Sequence, residues 1–236
     1  MGNANIHESA RIGKGCEFGF NVVVSEGCRV GDGVVFHNNV TVYPGVEIGD
    51  GCEIFDNACI GRPPRTCGNT VHKLKDAYGP AKIGRNCVIG VGAVIYAETE
   101  IGEKVLVGDY AAIREQCRVG NGCLIASFVT TGHHVEVGDG TKVMNYTNLT
   151  NHAKVGGGVF VGMGVLTTND NSMRLKGGEV GESGGPKIGD GAKIGSGAVI
   201  LPGLSIGKGS TIGAASLVNK DLRDHGFAHG PKAKYV

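Results

Sequence analysis

The sequence predicts an all-β chain wound as a parallel β-helix, with two extruded loops and a short C-terminal tail. Three observations predict it. Large apolar residues recur at every sixth position, a small residue often stands two places before, and Gly usually follows. Composition agrees: Gly fills 43 of 236 positions without a collagen period, and Trp is absent.

The period runs from Ile6 through Ile12, Phe18, Val24, Val30, Phe36, Val42, Ile48 and Ile54 to Ile60. It resumes at Ile83 and continues through Ile95, Ile113, Thr131, Leu149 and Val161 to Thr167. After a second break it runs from Ile188 to Val218. Residues two apart on a strand point to the same side, so each large residue and the small one before it line one interior. The residues after them must turn a corner, in conformations that Gly, Asn and Asp tolerate best. One repeat cannot bury its own apolar edge, so stability has to come from stacking many. Residues 1–220 are expected to form the β-helix, with loops at 61–82 and 168–187, and residues 221–236 a tail.

The net charge of +1 offers neither a basic patch for nucleic acid nor an acidic tail. No apolar run follows a basic start, and no stretch is long enough to span a bilayer. A cytoplasmic protein is expected. Six of the eight cysteines (Cys16, Cys28, Cys52, Cys87, Cys117 and Cys123) fall on the small interior position, where a thiol behaves as a small hydrophobe. Cys59 and Cys67 lie off it. There is no CxxC pair, and no two histidines stand five apart, so no metal site is expected.

Three repeats would complete one triangular coil of 18 residues, which sorts the corners into three edges. One reads Asp32-Gly33, Asp50-Gly51 and Asp139-Gly140, an ordinary solvent edge. A second holds Tyr110, Phe128 and Tyr146, suggesting a subunit contact. The third reads Ala97-Glu98, Glu115-Gln116, His133-His134, Asn151-His152 and Asn169-Asp170. Stacked at about 4.8 Å, these five corners would form a continuous polar seam, and both breaks in the period leave from this edge. Long surface loops are usually functional or disordered. The basic residues Arg62, Arg65, His72, Lys73, Lys75, Arg174 and Lys176 in them suit phosphate groups.

Together these features resemble the hexapeptide-repeat acyltransferases, within which the enzymes that N-acylate nucleotide-linked amino sugars, such as dTDP-3-amino-3,6-dideoxyhexoses, are most similar. The segments Ile60-Gly-Arg-Pro-Pro-Arg65, Gly108-Asp-Tyr-Ala-Ala-Ile-Arg-Glu-Gln-Cys117 and Thr167-Thr-Asn-Asp-Asn-Ser-Met173 carry the likeness. It implies a left-handed coil, a homotrimer with sites between subunits, and acyl-coenzyme A (acetyl-coenzyme A or similar) as co-substrate. His133 matches the family's general base. His134 stands where an acid is usual, so Glu115 or Asp170 would partner the imidazole. Asn169, Arg62, Arg65, Arg114, Asn151 and His152 are the expected substrate-binding residues. Lys232 and Lys234, in a Gly-Pro-Lys-Ala-Lys tail one residue out of the family pattern, are expected at the coenzyme. An O-acyltransferase of the lipid A type, using a UDP-sugar, is the nearest alternative. That type carries a C-terminal helical extension, for which the residues after Asp221 leave little room. A non-enzymatic or zinc-binding β-helix would not need the polar seam, or would need three convergent His ligands.

Overall fold

The computed structural model describes residues 3–68, 73–171 and 184–230. The chain winds as a left-handed parallel β-helix with no helical segment among these residues. Its three sheets hold eleven, ten and eleven short strands, and successive strands go to successive sheets until the last, Phe227–Ala228, which follows Leu217–Val218 with only a single bridge at Leu222 in the sheet between. Every pairing is parallel, and the step is 18 residues: Val94 lies opposite Ala112, Ala112 opposite Thr130, and Thr130 opposite Asn148. The large in-phase residues fill the interior, and Ile54, Ile95, Ile113, Leu149 and Ile200 are fully enclosed.

The small interior positions do more than save space. The thiols of Cys28, Cys52, Cys87, Cys117 and Cys123 each donate to a corner carbonyl of the next coil, at 3.0–3.1 Å. Thr141 and Thr147 use hydroxyls in the same way, at 2.7 and 2.9 Å. These carbonyls would otherwise face an apolar core. Burial first of all pushes the Cys117 thiol up to about 11, which keeps it protonated at neutral pH. Cys59 is half-buried and Cys67 exposed, as their positions off the period require.

Corners are held by a second ladder. Most Asp and Asn residues at the first corner position accept from the backbone N–H of the corner beneath, as Asp50 does from Asp32 and Asp139 from Asn121. The preceding Gly makes room: a Cβ on Gly31 would lie 2.3 Å from the Asp50 carboxylate. The second corner residue is left-handed in most coils whatever its type, Gly185 being an exception.

The two insertions change the register step. Ile60 pairs with Ile95, and Leu166 with Val199. Both loops are shorter than expected at their ends, because Gly61 and Arg62 extend a strand and Lys82 and Lys187 begin strands. Stacking also continues beyond residue 220, where the tail was expected to start: Phe227–Ala228 pairs with Thr211–Ile212. The outward side chains of the ten-stranded sheet are mostly charged and partly paired, including Glu100–Arg118 and Glu136–Lys154.

Candidate active site

The polar seam exists where the first sheet turns into the second. Its ladder runs through the backbone: His134 N–H donates to the Glu115 carbonyl at 3.2 Å, and His152 N–H to the His133 carbonyl at 3.0 Å. Four coils carry it, from Glu98 through Gln116 and His134 to His152, all four left-handed with φ of 55–62°. That conformation disfavours any residue with a Cβ by roughly 1–2 kcal/mol. The solvent edge puts Gly there in most coils, with Asn86 and Lys104 among the exceptions.

The fifth corner is not the expected one. Gly185 N–H donates to the Asn151 carbonyl at 3.0 Å, and a Cβ on Gly184 would lie 3.2 Å from that of His152. Gly184–Gly185 therefore close the coil above the histidines, and Asn169 and Asp170 do not stack in the seam. The chain leaves the helix after Thr168, which still pairs with Ile200, and Asn169 and Asp170 are half-buried in the departing loop. At the other end Glu98 N–H donates to the Gly79 carbonyl, so the first loop returns directly beneath the seam. Returning segments of the two loops thus bracket the four coils.

Within the bracket three imidazoles meet. The His133 ring stands edge-on to those of His134 and His152 at 5.1 and 5.0 Å, and His134 stacks on His152 at 4.9 Å. His133 is only 7% exposed, His134 half-buried and His152 exposed. The Asn151 amide oxygen accepts from His133 N–H at 3.1 Å, so this side chain holds the backbone of the histidine corner. Gly132 is required beside it, since a Cβ there would fall 2.0 Å from the Asn151 oxygen. Among the described residues no three His, Cys, Asp or Glu side chains are placed to share a metal ion.

Beneath His133 lies Glu115, whose side chain is 0% exposed. Arg114 forks onto its carboxylate, Nε to Oε2 at 2.7 Å and Nη2 to Oε1 at 2.8 Å. Burial alone would push this carboxyl up. The guanidinium, the local backbone and the field of His133 together outweigh burial and hold it below the usual carboxylate range.

Tyr96, which the sequence reading passed over, organises the arginines. The guanidinium carbons of Arg62 and Arg114 both lie 5.1 Å from its ring centroid, and Arg62 Nη1 donates to its hydroxyl at 2.5 Å. A signal for it exists: Tyr96 stands directly after an in-phase Ile, where Gly is usual. Arg65 is exposed further along the loop. Glu98 ties the loop to the seam, accepting from Lys75 Nζ and Gly79 N–H at 2.8 Å and from Gln116 Nε2 at 2.9 Å. Lys232 and Lys234 lie outside the described residues, as do His72, Arg174 and Lys176.

A broad groove also runs over the ten-stranded sheet, past Arg118, Glu136 and Lys154 and a column of glycines. It is an open sheet face whose charges are partly paired across strands, and the imidazoles lie outside it.

Two family descriptions match the sequence. "Bacterial transferase hexapeptide (six repeats)" matches residues 27–62, 98–133 and 185–220, and "Hexapeptide repeat of succinyl-transferase" matches 9–44 and 80–108. Among solved structures, the Arabidopsis UDP-N-acetylglucosamine acyltransferase is 20% identical over 96% of this chain and 69% of its own, with a TM-score of 0.62. The enzyme of the same name from Bacteroides fragilis 9343 is 20% identical over 93% of this chain and 67% of its own, with a TM-score of 0.52. A further UDP-N-acetylglucosamine acyltransferase is 23% identical over 88% of this chain and 65% of its own, with a TM-score of 0.55. At these identities they share the fold. No curated protein matches the chain significantly in sequence.

Proposed function

Because the chain belongs to the hexapeptide-repeat transferase family, we propose that it is an acyl-coenzyme A-dependent N-acyltransferase, with acetyl the expected group, acting on the amine of a nucleotide-linked amino sugar. One observation carries this reading: three imidazoles converge over a buried, ionised carboxylate on the edge that both loops bracket.

In the proposed reaction the sugar amine attacks the thioester carbonyl, the new C–N bond forms, and the C–S bond breaks. The nitrogen loses one proton and the departing sulfur gains one. A histidine with a pKa near ~6.5 suits this transfer at neutral pH. His134, more accessible than His133, meets the amine. His133 stands behind it and above Glu115, whose negative charge stabilises the imidazolium. His152 stacks on His134 and fixes its plane. Arg62 and Arg65 face the sugar nucleotide's phosphates by charge-assisted hydrogen bonds. Arg114 divides its donors between Glu115 and the substrate side. Asn169 and Asp170, in the departing loop, contact the sugar, and Lys232 and Lys234 the coenzyme. Holding amine and thioester together supplies much of the rate.

The working unit in this reading is a homotrimer. Large apolar side chains are exposed on the eleven-stranded sheets and their shared edge (Leu106, Tyr110, Phe128, Tyr146, Phe160 and Leu166), whereas the outward strand side chains of the ten-stranded sheet are mostly charged. Exposed apolar patches of this kind mark contact surfaces.

The test is turnover of acetyl-coenzyme A with a panel of nucleotide amino sugars. His134→Asn should cost about 10²-fold or more, and His133→Asn less. Near-normal turnover in the double variant would remove the histidine base and leave direct proton transfer to the coenzyme sulfur. A second reading, O-acylation of a UDP-sugar, is favoured by the fold shared with UDP-N-acetylglucosamine acyltransferases. A hydroxyacyl carrier protein offered with UDP-N-acetylglucosamine separates the two, since only the second reading predicts an ester product.

A further inference from the structure

Of all the in-phase interior residues, Thr131 and Thr167 alone are not apolar. Both lie in the same sheet, both are buried at 3–4% exposure, and both sit where Ile, Val or Leu would bury more apolar surface. Thr in place of Val brings a hydroxyl into the core and is not a neutral exchange.

Each hydroxyl has a specific task. In the regular coil the first N–H after an in-phase residue donates to the in-phase carbonyl one coil on, as Gly132 does to Leu149 at 2.7 Å and Gly120 to Val137 at 2.8 Å. At two corners the acceptor is a side chain instead. Arg114 N–H donates to Thr131 Oγ1 at 3.0 Å, and Thr150 N–H donates to Thr167 Oγ1 at 2.7 Å. The residues that follow these two donors are Glu115 and Asn151. Glu115 is fully buried, although Asp32, Asp50 and Asp139 at equivalent corners are exposed. Thr131 also leads directly into the corner that carries His133, so one side chain ties the carboxylate corner to the imidazole corner. Thr167 does the same between the Asn151 corner and the departure of the second loop.

We propose that Thr131 and Thr167 are positioning residues, whose hydroxyls replace the backbone acceptor and so set the Glu115 and Asn151 corners on either side of His133. The consequence for turnover rests on the acyl-transfer reading above. The consequence for the imidazole does not.

The experiment compares Thr131→Val, Thr131→Ala and Thr131→Ser in the full-length protein, with Thr147→Val as a control that loses a buried hydroxyl of the regular kind. Titration of the His133, His134 and His152 rings is followed by NMR beside thermal melting. The charged and titratable groups around His133 are Glu115, Arg114, His134 and His152. Thr131→Val adds apolar burial but leaves the Arg114 N–H without its acceptor, so the two effects oppose each other and the melting temperature should move by only a few degrees. The variant should still shift the His133 midpoint by about 0.5 pH unit or more, since Glu115 moves relative to the ring. Ser should restore the parent midpoint, and Thr147→Val should leave it alone. Where an acyl-transfer assay is in hand, Thr131→Val should lower kcat about tenfold, the worth of one hydrogen bond, with KM little changed. An unchanged His133 midpoint in folded Val or Ala variants overturns the proposal, as does an equal shift in the Thr147→Val control. An unshifted midpoint counts against the brace even if the protein is an acyltransferase. A shifted midpoint without acyl transfer counts against the reaction alone.

Discussion

At the residue scale Glu115 is the group on which most of the site depends. It is fully buried, forked by Arg114, and held below the usual carboxylate range against the opposing effect of burial. A carboxyl whose folded pKa is depressed contributes stability that is complete above its unfolded value, ~4.3, and is lost as pH falls through the folded value. Glu115→Gln should cost about 1–2 kcal/mol at neutral pH, the lower part of the range for hydrogen bonds to charged groups, because Arg114 is 39% exposed and can recover water. Urea melts between pH 7 and pH 3 check this. The gap between parent and variant should narrow as the solution is acidified, and a gap that stays constant would show that Glu115 is not ionised in the folded protein.

At the element scale the corners, not the strands, carry the individuality of this chain. Strands of two residues repeat with little variation, while the corners differ edge by edge. The first loop is joined to the seam through Glu98, which gathers donors from Lys75, Gly79 and Gln116. Removing that acceptor in Glu98→Ala leaves the Gly79 N–H and the Lys75 ammonium to water. Residues 73–80 should then become a preferred site of limited proteolysis while the melting temperature falls by only a few degrees, about 1 kcal/mol or less. Cleavage confined to other segments would show that the loop is held by different contacts. The stacking itself was legible in the sequence, because a period of six fixes which side chains enter the core. The glycines after the in-phase residues were legible only as turn formers. Their second task, making room for the Asp and Asn ladder, became visible once adjacent coils were in place.

At the scale of the whole molecule the three edges and three sheets have unlike surfaces. Tyr110, Phe128 and Tyr146 stack along one edge with centroids 5.4 and 5.1 Å apart, in left-handed corners, and remain largely exposed. An aromatic ladder in water is costly to leave uncovered. For the proposed trimer, changing all three to Ser should leave the coil folded, by circular dichroism, but reduce the sedimenting mass from three chains to one. A triple variant that remains trimeric would assign the contact to another face.

The sequence by itself determined the coil, the three edges, the polar character of one of them, and the places where the chain leaves it. All of these follow from a period that turns sequence distance directly into spatial distance. Only the tertiary structure decided what happens where that period is interrupted. An insertion has no fixed return point in sequence, so Gly184–Gly185 close the coil above His152 where Asn169–Asp170 were expected. It also decided that a corner carboxylate is buried, that one tyrosine ring lies beside two guanidinium groups, and that two interior threonines reach a neighbouring backbone. These depend on side-chain direction and on what the adjacent coil presents at a few ångströms, neither of which a repeat of six encodes.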